Sequence, residues 1–189
     1  MKERFFIMTK TTNSTKVVVP CRFSYCNIWE PKSINGSEPK YSISAIIDKS
    51  DTETINKVKA AIEAAKLESI PKWGGKIPAN LKLPLRDADA EGRSDDEAYK
   101  NSMFFNANSK QPPQIVDRHV QPILDQSEVY SGCYGRISVT FFGYNSNGNR
   151  GIGAGLGNVQ LLKQGPSLGG RTNASDDFDS VEDDEDFLS

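Results

Sequence analysis

Apolar and polar residues alternate along two stretches near the start of the chain, at 16–29 and 40–47. This period is typical of strands that bury one face. The inward set of the first stretch is Val17, Val19, Cys21, Phe23 and Tyr25, with Arg22 and Ser24 on the opposite, wetter face. Pro20 favours a sheet edge or a bulge in that strand. The pattern predicts two strands, each with a polar or basic outer face.

The period changes from two to that of a helix after residue 50. Ser50 to Glu53 fits a capping box, and apolar residues then recur at Ile55, Val58, Ile62 and Ala65. Such spacing predicts a helix over 51–68. Proline and glycine residues between 71 and 78 mark its end and open an irregular stretch.

Beta structure resumes in the second half of the chain. Strands are predicted over 99–108, 114–117, 130–144 and 152–163, with a hairpin turn at 145–149. Several strands with one inserted helix predict a mainly β fold, an OB-fold-like antiparallel barrel. An immunoglobulin-like sandwich would explain the strands but not the helix.

The chain divides into a body and a tail of unlike charge. The predicted parts are a flexible lead-in at 1–15, a nucleic-acid-binding barrel at 16–164, a Gly/Ser linker at 165–174 and an acidic tail at 175–189. The tail holds eight of the 25 acidic residues, which leaves 17 acidic against 23 basic residues in the body. A body with six positive charges favours a polyanionic partner. Plain solubility explains the same numbers equally well.

The tail carries no basic residue and ends in Asp186-Phe187-Leu188-Ser189. Its like charges repel and it has little apolar surface to bury, so it is not expected to fold alone. No apolar run approaches the roughly 18 residues of a membrane span, and no signal peptide is evident. The cytoplasm of the host cell is the predicted location.

No residue pattern indicates catalysis, a cofactor or a metal. His119 is the single histidine and has no recognisable nucleophile beside it. Cys21, Cys26 and Cys133 match no zinc spacing, and Cys21 and Cys26 fall on opposite faces of the predicted strand. Glycines at every second position of 151–157 leave one strand face bare, which favours packing of the barrel against a helix over a close nucleic-acid backbone.

Basic and aromatic residues share the wetter strand faces. Single-stranded nucleic acid needs aromatic rings for its bases and cations for its phosphates. The alternative is that Phe142 and Tyr144 cover a second small core under the loops. The candidate DNA-binding residues are Arg22, Trp29, Lys40, Trp73, Arg86, Lys100, Phe104, Arg118, Arg136, Phe142 and Tyr144.

From Thr15 to Lys163 the chain resembles a family of phage-encoded single-stranded-DNA-binding proteins with an OB-fold. The stretches that carry the resemblance are Leu83–Asp87, Phe104–Asn108, Ile115–Arg118, Val129–Arg136 and Gly151–Val159. One departure is Ala88, where relatives are expected to have glycine. The tail resembles those of replication single-strand-binding proteins, which recruit partners. The resemblance thus implies partner-binding residues Asp183, Asp184, Glu185, Asp186, Phe187 and Leu188.

The residues and the resemblance together predict a non-enzymatic single-stranded-DNA-binding protein of phage replication or recombination. It would bind without sequence preference, through phosphate contacts and base stacking. Two alternatives stay open: a general binder that also accepts duplex DNA or RNA, and a DNA mimic that inhibits a host protein. Exposed edge strands make a homodimer possible.

Overall fold

The computed structural model describes residues 14–168 and 178–179. This part of the chain contains seven strands, one α-helix and two short 3-10 helices. The strands are β1 (Lys16–Lys32), β2 (Lys40–Asp48), β3 (Arg86–Asp87), β4 (Ser102–Ser109), β5 (Ile115–Val116), β6 (Tyr134–Ser146) and β7 (Asn149–Lys163). The helices are α1 (Thr52–Glu68) and the 3-10 helices Ile70–Trp73 and Gln126–Glu128. No described helix is long and apolar enough to cross a membrane.

The sheet closes into a barrel. Its strand order is β3-β4-β2-β1-β6-β7-β5, and β4 also pairs with β7. The long β1 makes closure possible, because its first half pairs with β6 and its second half with β2. The closing pair, Asn108 with Gly155, is parallel. The predicted mainly β, OB-fold-like barrel with one inserted helix is confirmed, but the sequence did not indicate this parallel contact.

The inward positions of the alternation form one core. On β6, Ile137, Val139 and Phe141 are buried, as the period predicts. The rings of Phe105 and Phe141 lie 5.6 Å apart between centroids, both at most 1 % exposed. Fully burying one such side chain contributes about 1.5–3 kcal/mol, so the aromatic centre is a main source of the barrel's stability.

Helix α1 packs on β1 and β6 through the predicted apolar face. Ile55, Val58 and Ile62 are buried on that face. The helix begins at Thr52, because the Asp51 side chain caps it by accepting a hydrogen bond from the Thr54 N–H at 3.2 Å. The cap is therefore Asp51 rather than the predicted Ser50, and the helix ends at Glu68 as predicted.

A β-bulge at Tyr25 reverses the alternation of β1. Ser24 pairs with Ser44, and the ladder resumes with Asn27 opposite Ser42, so β1 carries one extra residue. Tyr25 has φ = +44° and is 64 % exposed. Its predicted inward orientation is wrong, because residues after a bulge change faces.

The bulge turns Cys26 and Ile28 toward the core. Cys26 therefore faces the core like Cys21, and their predicted placement on opposite faces is also wrong. The Cys26 N–H leaves the ladder and donates to Ser131 Oγ at 3.0 Å. The turn before β6 thus holds the bulge in place.

Candidate nucleic-acid interface

Strand register places residues from five strands in one row across the outer face of the barrel. Arg86 on β3 pairs with Phe104 on β4, and Phe104 pairs with Ile46 on β2. Ile46 pairs with Arg22 on β1, and Arg22 pairs with Tyr134 on β6. Two further rows lie beside it, formed by Ser24, Ser44 and Asn106 and by Asn27, Ser42 and Asn108.

A groove of about 460 Å³ runs over the parts of these rows on β2, β3 and β4, and over Asn27 on β1. Its lining includes four basic residues and one exposed aromatic ring, which are Lys32, Lys40, Arg86, Arg93 and Tyr25. The amides Asn27, Asn106 and Asn108 supply neutral hydrogen-bonding groups. Glu38 is the one acidic residue among the described residues that line the groove, and Lys110 pairs with it at 3.0 Å. The groove is therefore basic and polar, with an aromatic edge.

Lys32 and Lys40 are direct cross-strand partners between β1 and β2. Like charges in this position repel and destabilise a sheet. Neither lysine makes an ion pair with any residue that the structure describes. The pair is an arrangement suited to holding an anion from outside.

The two arginines of the groove differ in whether a carboxylate neutralises their charge. Arg86 donates from Nε to Glu91 Oε1 at 2.6 Å and also forms an ion pair with this carboxylate. Arg93 has no carboxylate partner among the described residues and instead stacks on Tyr99, 3.5 Å from the ring centroid. Arg93 is consequently the freer cation, although the sequence pointed to Arg86.

Phe104 lines the groove, but its ring is covered by other side chains. It is 1 % exposed and meets Tyr99 edge-to-face, with ring centroids 5.3 Å apart. Arg86 and Arg93 lie over it at 4.9 and 5.1 Å. A ring without an open face cannot stack on a base, so Phe104 leaves the candidate set. A second small core lies at this position, whereas the sequence suggested one under Phe142 and Tyr144.

The segment that covers Phe104 is residues 88–101, and it is anchored at both ends. The Tyr99 hydroxyl donates to Ser24 Oγ at 2.9 Å. Lys49 Nζ bonds to Asp87 at 2.8 Å and to Asp89 at 2.7 Å. These bonds to the Lys49 ammonium lower the pKa of both carboxyls. The segment therefore bounds the groove on one side as a fixed wall.

Beyond this wall lies a second recess of about 410 Å³, which Arg22 and Lys100 line. Arg22 already donates to the carbonyls of Gly132 at 3.2 Å and Pro166 at 2.9 Å. Its guanidinium lies 5.1 Å from the Tyr134 ring centroid. Three carboxylates, Asp48, Asp51 and Glu97, share the recess. Mixed charge makes it a poorer site for a polyanion than the groove.

The two tryptophans face inward rather than into the groove. Trp73 is 4 % exposed, and its Nε1–H donates to the Tyr144 carbonyl at 3.0 Å. Trp73 therefore cannot stack on a base and also leaves the candidate set, because the 3-10 helix 70–73 turns it under β6. Trp29 is half-buried, and its Nε1–H donates to the Val129 carbonyl at 3.2 Å.

The remaining candidates lie on the β6–β7 side of the barrel, outside the groove. Arg118 donates to the Leu162 carbonyl at 3.3 Å, and Arg136 donates from Nε to Gln160 at 2.8 Å. Tyr144 is half-buried, whereas Phe142 is 44 % exposed. The predicted tail residues 183–188 lie outside the described part of the chain.

Three basic or aromatic groove residues were missed from the sequence: Tyr25, Lys32 and Arg93. A signal for Tyr25 existed, because the apolar positions of β1 change from odd numbers up to Phe23 to the even-numbered Ile28. A change of parity within one strand requires an extra residue. Nothing local distinguishes Lys32 or Arg93 from other surface cations.

The structure gives His119 and the cysteines no reactive arrangement. The His119 backbone N–H donates to Asp117 at 2.8 Å. Backbone bonds from Gln121 and His119 lower the pKa of the Asp117 carboxyl, which closes a turn. Burial raises the pKa of Cys26 to about 12 and also raises those of Cys21 and Cys133. Among the described residues no group of His, Cys, Asp and Glu has the geometry of a metal site.

Strands β1, β2, β4, β7 and β6 form the closed ring of the barrel. A closed five-stranded barrel with a basic, aromatic-edged groove on its outer face is the architecture of OB-type nucleic-acid-binding proteins. Comparison with known proteins places the chain within this class. It belongs to the family described as the single-stranded-DNA-binding protein of Enterobacter phage Enc34, which matches residues 15–188.

A relative and two solved structures illustrate the family and the fold. Putative protein p50 of Acyrthosiphon pisum secondary endosymbiont phage 1 is 30% identical over 172 residues, 85% of this chain and 90% of that protein. The bacteriophage Enc34 protein, solved in complex with single-stranded DNA, is 24% identical with a TM-score of 0.70, over 82% of this chain and 88% of that one. The single-stranded-DNA-binding protein of bacteriophage T7 shares the fold at 13% identity and a TM-score of 0.54, over 88% and 94%.

Proposed function

We propose that this protein binds single-stranded DNA in the groove on the outer face of β1, β2 and β4. The observation that carries the proposal is the unneutralised cross-strand pair Lys32 and Lys40, which lines the same groove as the exposed ring of Tyr25. Phosphates need such cations, and unstacked bases need such a ring. The family membership supports the same function.

Each groove residue has a distinct role in this proposal. Lys32, Lys40 and Arg93 contact phosphates, and Tyr25 stacks on a base. The amides of Asn27, Asn106 and Asn108 accommodate any base edge, because an amide both donates and accepts. Phosphate contacts and stacking carry no sequence information, so binding is sequence-independent. No step of this activity requires catalysis or a cofactor.

The wider role is replication or recombination of phage DNA in the host cytoplasm. The acidic tail, through residues 183–188, docks replication or recombination proteins. When unoccupied it competes with DNA for the basic groove, as the charge difference between tail and body supports. Exposed strand edges allow two copies of the protein to pair as a homodimer.

Titration of fluorescent oligo-dT tests the activity and the tail together. Deleting residues 175–189 is expected to tighten binding at low salt and to matter less at high salt, because screening weakens the competition. The comparison requires full-length and truncated protein at two salt concentrations. Unchanged or weaker binding by the truncated protein at low salt contradicts the competition. Equal-length duplex DNA and RNA competitors test strand selectivity.

Tyr25 is the groove residue whose ring is most open. Tyr25→Ala is expected to weaken oligo-dT binding about 5- to 150-fold, because stacking contributes about 1–3 kcal/mol per base. Tyr25→Phe keeps the ring and is expected to bind within about twofold of the wild type. The measurement is fluorescence anisotropy, with Leu124→Ala, at a residue 89 % exposed, as the control. If the Tyr25→Ala and Tyr25→Phe variants bind with equal affinity, Tyr25 does not stack on a base.

A further inference from the structure

Phe142 lies on a floor of glycines on the β6–β7 hairpin. It pairs across the strands with Gly153. A Cβ added to Gly153 would lie 2.7 Å from Phe142 Cζ, and one added to Gly155 would lie 3.7 Å from Phe142 Cε1. The ring therefore covers the β7 backbone where a side chain would otherwise stand. The sequence predicted a helix against these glycines, whereas the nearest group to a Cβ at Gly153 is this ring of the neighbouring strand.

The other side of the ring is open. Phe142 is 44 % exposed. An aromatic ring supported by backbone on one side and facing water on the other has the geometry of a stacking platform for a base. No acidic residue occurs in β6 or β7, and Arg150 is exposed near the hairpin tip.

The hairpin is held in position from beneath. The Gly143 N–H donates to Ser69 Oγ at 2.9 Å, and Lys72 Nζ donates to the Gly143 carbonyl at 3.0 Å. Trp73 bonds to the Tyr144 carbonyl next to it. These three bonds fix the backbone directly after Phe142. Binding of a ligand here therefore costs little conformational entropy of the hairpin.

The floor is continuous with the groove. Asn108 lines the groove on β4 and pairs with Gly155 on β7. Gly155 has no side chain, and a Cβ there would lie 3.7 Å from Phe142 Cε1, so on β7 only backbone lies between Asn108 and the ring of Phe142. A strand that leaves the groove past Asn108 meets a bare backbone floor and then an exposed ring.

We propose that Phe142 forms a second subsite, which stacks on an unpaired nucleobase of a strand that continues from the groove across the β7 glycines. The inference rests on the proposed function and extends it. It assigns two separate stacking positions, Tyr25 in the groove and Phe142 on the hairpin, to one strand of single-stranded DNA. Only an oligonucleotide long enough to span both positions uses the second.

Oligonucleotides of two lengths separate the subsites. An OB fold occupies roughly 4–16 nucleotides, so an oligo-dT of about 5 fills the groove and one of about 20 reaches both positions. Phe142→Leu is expected to weaken binding of the long oligonucleotide about 5- to 20-fold, since one stacked base is lost. Binding of the short one is expected to stay within about twofold. Thermal unfolding of the variant reports its fold.

Phe142→Trp keeps a stacking ring and adds a local probe. It is expected to restore tight binding, and its added emission, relative to the wild type, is expected to be quenched by the long oligonucleotide only. Gly153→Ala, whose Cβ would displace the ring, is expected to weaken long-oligonucleotide binding as Phe142→Leu does.

Three results separate failure of the subsite from failure of the function. If Phe142→Leu binds the long oligonucleotide as tightly as the wild type, the second subsite is overturned. Quenching of Phe142→Trp by the short oligonucleotide also overturns it, because the ring then belongs to the first position. If the wild type binds neither oligonucleotide, the proposed function itself fails.

Discussion

Reversing Lys32 and Lys40 together to glutamate is expected to weaken oligo-dT binding about 50-fold or more at low salt, because two phosphate contacts are lost and two repulsions are added. Both side chains line the groove, and neither is neutralised by a described residue. The slope of log affinity against log salt concentration is expected to become shallower by about 1.4, since each contact to single-stranded DNA contributes about 0.7. A salt series of anisotropy titrations measures both quantities.

The matched control reverses the same number of charges on α1. Lys57→Glu with Lys59→Glu changes the net charge equally, on two exposed lysines of α1, which do not line the groove. This variant is expected to bind oligo-dT only slightly more weakly, because it loses only the long-range attraction between the protein's net charge and DNA. If both double variants lose affinity and salt dependence to the same degree, the affinity depends on net charge alone. That result would contradict the proposal that DNA binds in the groove.

Phe105→Ala is expected to lower the free energy of unfolding by about 3–5 kcal/mol, as large-to-small substitutions of buried phenylalanine do. Phe105 is fully buried and contacts Phe141 with 5.6 Å between ring centroids. For a chain of this size each kcal/mol lowers the Tm by about 2–4 °C, which gives a decrease of about 6–20 °C. Calorimetry or denaturant unfolding measures the change.

A double-mutant cycle tests whether the two rings act together. Adding Phe141→Ala is expected to cost less in the Phe105→Ala background than alone, because the shared contact is already gone. Leu124→Ala, at an exposed position, is expected to change stability by no more than about 0.5 kcal/mol. A strictly additive cycle would mean that each ring packs on the rest of the core independently of the other.

The parts of the fold with a strict local period were predictable from the sequence. The alternation of Ile137, Val139 and Phe141 indicated the buried face of β6, and the helical spacing after Asp51 indicated α1 within one residue at its start. The barrel followed from the order of these elements. Its parallel closure through Asn108 and Gly155 did not, because strand pairing between distant segments leaves no local mark.

The candidate site was predicted less well, for a physical reason. Whether an outward-facing ring is available depends on what the rest of the chain lays over it. Phe104 faces outward, as the period requires, but Tyr99 returns to cover it; Trp73 is turned inward by a single 3-10 turn. Conversely, Tyr25 is exposed only because a bulge breaks the period that was used to place it. Lys40 was identified because β2 pairs with β4 without a bulge, so the faces assigned from the sequence hold in this strand.

The bulge also constrains what substitutions this strand tolerates. Phe23 and Ile28 both lie in the core, although they are an odd number of positions apart, and the extra residue at Tyr25 reconciles the two. Deleting or inserting one residue between them would expel Ile28 into solvent and shift the ring of Tyr25 from the groove. Over these few positions the length of the chain is therefore constrained more tightly than its composition.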